Sequence, residues 1–283
     1  MAAVTRYVLT LRCLDGPGIV NAATGALLEA GANIVESAQF GDVDTGLFAM
    51  RSVFDAEAAA GEVEARLDDV RAGLKADITV RPVDRKPKVL IMVSKEDHCL
   101  LDLLYRRRNG ELAIEVPLVV SNHPDCRELA ERYDVGYEVV PVAPGTKARA
   151  EARLMELVEA LDIDLIVLAR YMQVLSADVC ERMPGRIINI HHSFLPGFKG
   201  GRPYHQAHLR GVKLIGATAH YVTADLDEGP IIDQDVEHVT HAHTVEDLIR
   251  VGRDIERIVL SRAVRRHSED RVILIGSKTV VFP

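Results

Sequence analysis

Tyr7, Leu9 and Leu11 recur at every second position near the start of the chain, the period of a half-buried strand, and predict one over residues 6–12. Asp15, Gly16, Pro17 and Gly18 then supply a turn. Residues 19–29 have helical spacing and stop before Gly31, which suits a left-handed cap. Residues 33–40 and 46–54 read as strands around the polar turn 41–45. Residues 56–74 are rich in helix formers, and 75–83 read as a closing strand. The order βαββαβ is the ferredoxin-like pattern.

Asp84, Arg85, Lys86 and Pro87 are charged, short and end in proline, the composition of a linker. The expected domains are therefore 1–84 and 85–283. Val89, Leu90, Ile91, Met92 and Val93 begin the second with a fully apolar strand. Helices over 98–108, 127–133 and 147–161 then alternate with strands over 112–120, 137–140 and 165–168. Strands apolar on both faces imply a mainly parallel sheet covered by helices, a Rossmann-like α/β arrangement.

Composition narrows the function more than the fold. Acidic residues outnumber basic ones, 42 against 34, giving a net charge of −8. That disfavours a large nucleic-acid surface, which needs clustered Lys and Arg. The runs Arg106–Arg108 and 262–266 read as solvated helix faces. Cys13, Cys99, Cys126 and Cys180 have no metal or redox spacing and read as buried free thiols of a reducing cytosol. No stretch of eighteen apolar residues predicts a membrane span, and no signal-peptide pattern opens the chain. His238, His241 and His243 lack the spacing of a zinc site, and no metal is expected.

Two polar segments follow apolar strands, which is where open α/β sheets place their sites. Residues 186–190 run into His191, His192 and Ser193. Asn189 and His191 are two apart, so an extended backbone points both side chains the same way. An amide donor beside an imidazole suits a carbonyl that becomes an oxyanion. Residues 214–222 run into Thr223, Ala224, Asp225, Leu226, Asp227, Glu228, Gly229 and Pro230. Taken bare, Asp227 also reads as an ordinary loop residue and Asn189 as the cap of a strand end. His192 reads equally as a site residue or as loop packing. His205 reads as packing and His220 as pocket lining.

Asn189-Ile190-His191 with Ser193-Phe194-Leu195-Pro196, then His220-Tyr221-Val222 with Asp225 to Pro230, resemble two motifs of the folate-dependent formyltransferase family. Leu168 to Leu175 is similar to that family's folate-binding loop. Three motifs in family order cover roughly residues 88–283. Gly201 to Ala207 and the doubled His191-His192 are more similar to members that use water as acceptor than to the transferases. Residues 1–84 resemble an ACT domain, a small-molecule-sensing module.

The resemblance implies an Asn189, His191 and Asp227 constellation acting on the formyl group of 10-formyltetrahydrofolate. Asn189 and His191 would meet the oxyanion, and Asp227 would favour the charged imidazole or hold water. It implies that backbone groups at Met172, Gln173, Val174 and Leu175, and from Thr223 to Asp227, meet the pterin. It implies no cofactor, the folate being the substrate, and a homo-oligomer with a glycine- or methionine-like effector acting near residues 15–40. Asn21, Asn33 and Ile34 read equally as effector contacts or as packing. The alternative is transfer to an amine such as glycinamide ribonucleotide. That nucleotide needs a glycine-rich phosphate loop after the first strand. Residues 94–99 hold Glu96 and Asp97 there and no glycine. Transfer to initiator tRNA would need a basic surface and a further C-terminal domain, whereas this acidic chain ends soon after Phe282.

Overall fold

The computed structural model describes residues 4–197 and 203–283 and divides into two compact units, Met1–Arg85 with Glu269–Pro283, and Lys86–Ser268. In the first unit the chain runs β1 (Thr5–Leu14), α1 (Ile19–Glu29), β2 (Asn33–Asp42), β3 (Leu47–Ala56), α2 (Ala60–Leu74) and β4 (Asp77–Pro82). The four strands form an antiparallel sheet in the order β2-β3-β1-β4, the ferredoxin-like arrangement. Gly31 adopts φ 70° at the end of α1, as its position predicts. Helix α2 starts later than residue 56. Ala56 stays in β3, paired with Thr5 and buried at the sheet end. Leu9, Leu11, Phe48, Met50 and Phe54 from the sheet pack with Leu27, Val63 and Leu67 from the helices.

The second unit contains β5 (Lys88–Val93), α3 (His98–Arg108), β6 (Glu115–Ser121), α4 (Arg127–Glu131), β7 (Gly136–Val139), α5 (Lys147–Ala160), β8 (Leu165–Leu168), α6 (Ala177–Arg182), β9 (Ile187–His191), α7 (Pro203–Arg210), β10 (Leu214–Tyr221), β11 (Ile231–His238) and α8 (Val245–Ser268). Its seven strands lie in the order β11-β10-β9-β8-β5-β6-β7. The pairs from β7 through to β9 are parallel, whereas β10 and β11 are antiparallel to their neighbours. From β5 the chain moves to β6 on one side and later to β8 on the other. The switch point of this sheet therefore lies at the carboxyl ends of β5 and β8, where ligands of such sheets bind.

The last residues correct the domain reading. Residues 269–283, expected in the second domain, pack with the first unit. They form a hairpin, β12 (Val272–Ile275) and β13 (Lys278–Val281), turned at Gly276 with φ 57°. Alternation along β3 explains why. Phe48, Met50 and Phe54 face the helices, so Ala49 faces the other way. Ile273, Ile275 and Phe282 cover Ala49 there. Arg51, also on that outer face, is 5% exposed and donates to the Glu269 carbonyl at 3.1 Å, while Arg12 donates to the Leu274 carbonyl at 3.0 Å. The hairpin thus gives the sheet its second covering layer.

Phe282 is 4% exposed in that layer. Phe282→Ala should lower the unfolding free energy of the first unit by about 3 kcal/mol, read from urea denaturation.

Candidate active site

Strand β9 ends at His191 and pairs with β10 in a register that sets His220 opposite Asn189 and Thr218 opposite His191. Asn189 and His191 do share one side of the strand, and both line a cavity of about 540 Å³. Asn189 Nδ2 lies 3.2 Å from His220 Nε2. His220 Nδ1 donates to the Tyr221 carbonyl at 2.8 Å, which leaves Nε2 as the acceptor for the amide. The Asn189 amide is therefore held by one N–H and keeps its second for a ligand. Burial pushes the His220 imidazole below its ordinary range, so the ring stays neutral and keeps that acceptor.

Asp227 reaches this pair from the loop after β10. Its Oδ1 lies 3.3 Å from His191 Nδ1 and 3.8 Å from His220 Nε2. The loop is tightly specified. Asp227 has φ 56°, and a Cβ on Gly229 would stand 1.7 Å from the Tyr221 carbonyl oxygen. The hydrogen bond with His191 holds the Asp227 carboxyl below its usual range, against the effect of burial. With Nδ1 committed to Asp227, His191 keeps Nε2 for a further partner. That atom is buried and has no hydrogen-bond partner in the described structure. An imidazole nitrogen without a protein partner beside a free amide N–H offers two polar groups to one ligand atom.

His192 is half-buried on the cavity wall, its ring centred 5.2 Å from that of His191. Burial, helped by Arg170, holds it down at about 4, so it is neutral near pH 7. His205 lines the cavity from an exposed position, where packing was expected. His220 lines it as expected. Gly201 and Arg202, part of the segment compared with the family above, lie outside the described residues.

Met172, Gln173, Val174, Leu175 and Thr223 all line the cavity. Their roles differ more than the expectation allowed. The Met172 N–H is taken by Ser94 Oγ at 3.0 Å, and Ser94 in turn donates to Asn122 at 2.7 Å. That backbone donor is spent on holding the loop and is not free for a heterocycle. Leu175 is 8% exposed and part of the core under the loop, whereas Met172 and Val174 are 55% and 53% exposed.

A second cluster closes the other wall and was not read from the sequence. Glu256 of α8 is 1% exposed, accepting from Tyr204 Oη at 2.6 Å and meeting His98 Nε2 at 2.8 Å. Burial pushes its carboxyl up, but these bonds and Arg170 outweigh burial and hold it below its ordinary range. Gly252, one turn earlier, leaves room for Tyr204, whose hydroxyl would stand 2.0 Å from a Cβ there. The sequence did hold a signal: α8 buries Leu248, Gly252, Ile255, Val259 and Ala263, and Glu256 is the carboxylate on that stripe. His98, Cys99 and Glu256 bring ligand-type atoms within 4.8 Å of one another. Arg170 Nε, 3.4 Å from Glu256, already supplies positive charge and would repel a metal ion.

The chain belongs to the formyl transferase family, whose pattern matches residues 87–264. Within it the chain belongs with the formyltetrahydrofolate deformylases. It is 50% identical to the formyltetrahydrofolate deformylase of Corynebacterium sp. (strain P-1), over 100% of both chains. The crystal structure of the formyltetrahydrofolate deformylase of Burkholderia mallei superposes with a TM-score of 0.95 at 47% identity, covering 99% of this chain and 100% of that one. A glycinamide ribonucleotide transformylase of Symbiobacterium toebii is more distant, with a TM-score of 0.67 and 32% identity over 70% of this chain and 95% of that one.

The Asp227 carboxyl generates a pH prediction. A depressed carboxyl stabilises the fold fully above its ordinary value of 3.8, and that stability is lost as pH falls through its lower folded value. Wild type should therefore exceed Asp227→Asn in unfolding free energy at pH 7. The gap should shrink below about pH 3.8 in urea titrations at each pH.

Proposed function

We propose that this chain hydrolyses 10-formyltetrahydrofolate to formate and tetrahydrofolate, and so adjusts the balance of one-carbon folates. The observation behind this reading is the joint aim of Asn189 and His191, braced by Asp227, into one cavity, with His191 Nε2 unpartnered. The formyl group on N10 is an amide. Water adds to its carbon, charge collects on its oxygen, and the carbon–nitrogen bond breaks as N10 takes a proton. The free N–H of Asn189 and the Nε2 edge of His191 would hold the oxygen. Asp227 fixes the orientation of the imidazole and stands ready to position the water. Loop residues 172–175 and 223–226 would take the pterin between apolar side chains and backbone groups.

Transfer to glycinamide ribonucleotide is the second reading, and the structure changes the argument against it. Glu96 is bonded to Arg253 at 2.6 Å, so its charge repels a phosphate less than a free carboxylate would. What remains against an acceptor is occupancy: Tyr204, His98 and Glu256 fill the wall beside α3 with a bonded network.

Further parts of the reading rest on resemblance. We assign no cofactor, the folate being the substrate. Among the described residues no helix is long and apolar enough to cross a membrane, and we place the enzyme in the cytoplasm. The first unit resembles a sensing module, and we assign it pairing with a second copy and a small amino-acid effector near residues 15–40.

Purified enzyme should release formate from 10-formyltetrahydrofolate with no second substrate, and glycinamide ribonucleotide should not accelerate it. Enzyme idle alone but active with the nucleotide would establish the transferase reading instead. Asp227→Asn should lower turnover by about 10³-fold while folate binding changes little.

A further inference from the structure

Arg170 follows β8 with φ 65°, a left-handed backbone rare for a side chain of its size. The Arg170 side chain is 14% exposed and lies on the cavity wall. Its Nε and Nη1 are buried and make no hydrogen bond. Nε stands 3.4 Å from Glu256 Oε2, a contact of charge without bond geometry. Glu256 in turn takes its hydrogen bonds from Tyr204 and His98, one on each oxygen. A guanidinium cannot shed its proton to escape burial. Two buried donors without an acceptor cost more than any surface contact returns, so such a group points to an acceptor that arrives from outside the chain.

Position says which acceptor. His192 stands between the two clusters. Its ring is centred 5.2 Å from that of His191 and 6.4 Å from that of Tyr204, which donates to Glu256. Arg170, beside Glu256, thus lines the same cavity as the place where the formyl carbon would react. The hydrolysis proposed above converts one amide and one water into a secondary amine, a carboxylate and a proton. The carboxylate is new: nothing in the substrate's reacting group is charged, and the product is a small planar monoanion. We propose that Arg170 is the binding site of the released formate, an anion subsite on the cavity wall that takes the product from His191. Charged donors on a carboxylate are among the stronger hydrogen bonds a protein makes. The inference rests on the hydrolytic reading, since a transfer reaction makes no formate.

The test separates the two. Line broadening of 13C-formate by folate-free wild-type enzyme, in a constant sodium chloride background, reads the subsite without any turnover. Inhibition of folate hydrolysis by added formate reads it during turnover. Formate should broaden and inhibit. Arg170→Gln should weaken both by roughly tenfold to a hundredfold, and Arg170→Lys, which keeps the charge, by less. Wild-type enzyme that leaves 13C-formate unbroadened overturns the proposal, as does a folded Arg170→Gln enzyme bound and inhibited like wild type. If Arg170→Gln does not fold, the wild-type broadening and the Arg170→Lys comparison decide alone. Formate that binds to an enzyme unable to produce it from the folate would leave the subsite standing and remove the hydrolytic function. An enzyme that releases formate yet never binds it would do the reverse.

Discussion

The pairing of β9 with β10 in antiparallel register is the constraint on which the site depends. It sets His220 across from Asn189 and delivers the chain, ten residues further on, to Pro230, whose carbonyl accepts from the Tyr221 N–H at 2.9 Å. The loop between is forced to turn back over the strand end, and Gly229 passes so near the Tyr221 carbonyl that no side chain fits. Asp227 is brought to His191 by that closure. A slip of one residue in this pairing would turn Asn189 and His191 into the core and expose Ile190 in their place. The apolar residues of β9 that bury against the helices thus hold the reactive ones in register.

Around that pairing the cavity divides by chemistry. One side is loop: Met172, Val174 and Leu226 present exposed apolar side chains. The other is a bonded cluster of Glu256, Tyr204 and His98, with Arg170 beside it as a charge contact, drawn from α8, α7, α3 and the end of β8. A flat uncharged heterocycle suits the first and not the second. His192 lines the cavity between them, its ring centred 5.2 Å from that of His191 and 6.4 Å from that of Tyr204.

Much of this was legible in the sequence, and the parts that were not share a cause. Asn189 and His191 could be placed together because two residues in a strand have a fixed geometry. Asp227 could be joined to them only by family resemblance, since its approach depends on a loop closed by Gly229. Glu256 was hidden because its partners come from separate helices, and one glutamate in a long helix reads as solvated until the burial of its stripe is known. Arg170 was read only as part of the loop from Leu168 to Leu175. The spent N–H of Met172 was invisible because its acceptor, Ser94, lies in another βα loop. The hairpin β12–β13 was misplaced because Arg51 at the centre of β3 resembles a solvent-facing residue, whereas it is covered and bonded to the Glu269 carbonyl.

That hairpin makes the first unit discontinuous in sequence, with the whole of Lys86–Ser268 inserted between β4 and β12. Contacts such as Arg12 with Leu274 span almost the full chain. During synthesis from the amino end, the four-stranded sheet emerges early but lacks its outer layer until the last residues leave the ribosome. The inserted unit, continuous in sequence, has every residue it needs before that happens. Completion of the amino-terminal unit is thus the closing event of folding, and a chain released before β12 and β13 would leave one face of that sheet bare and prone to associate with others.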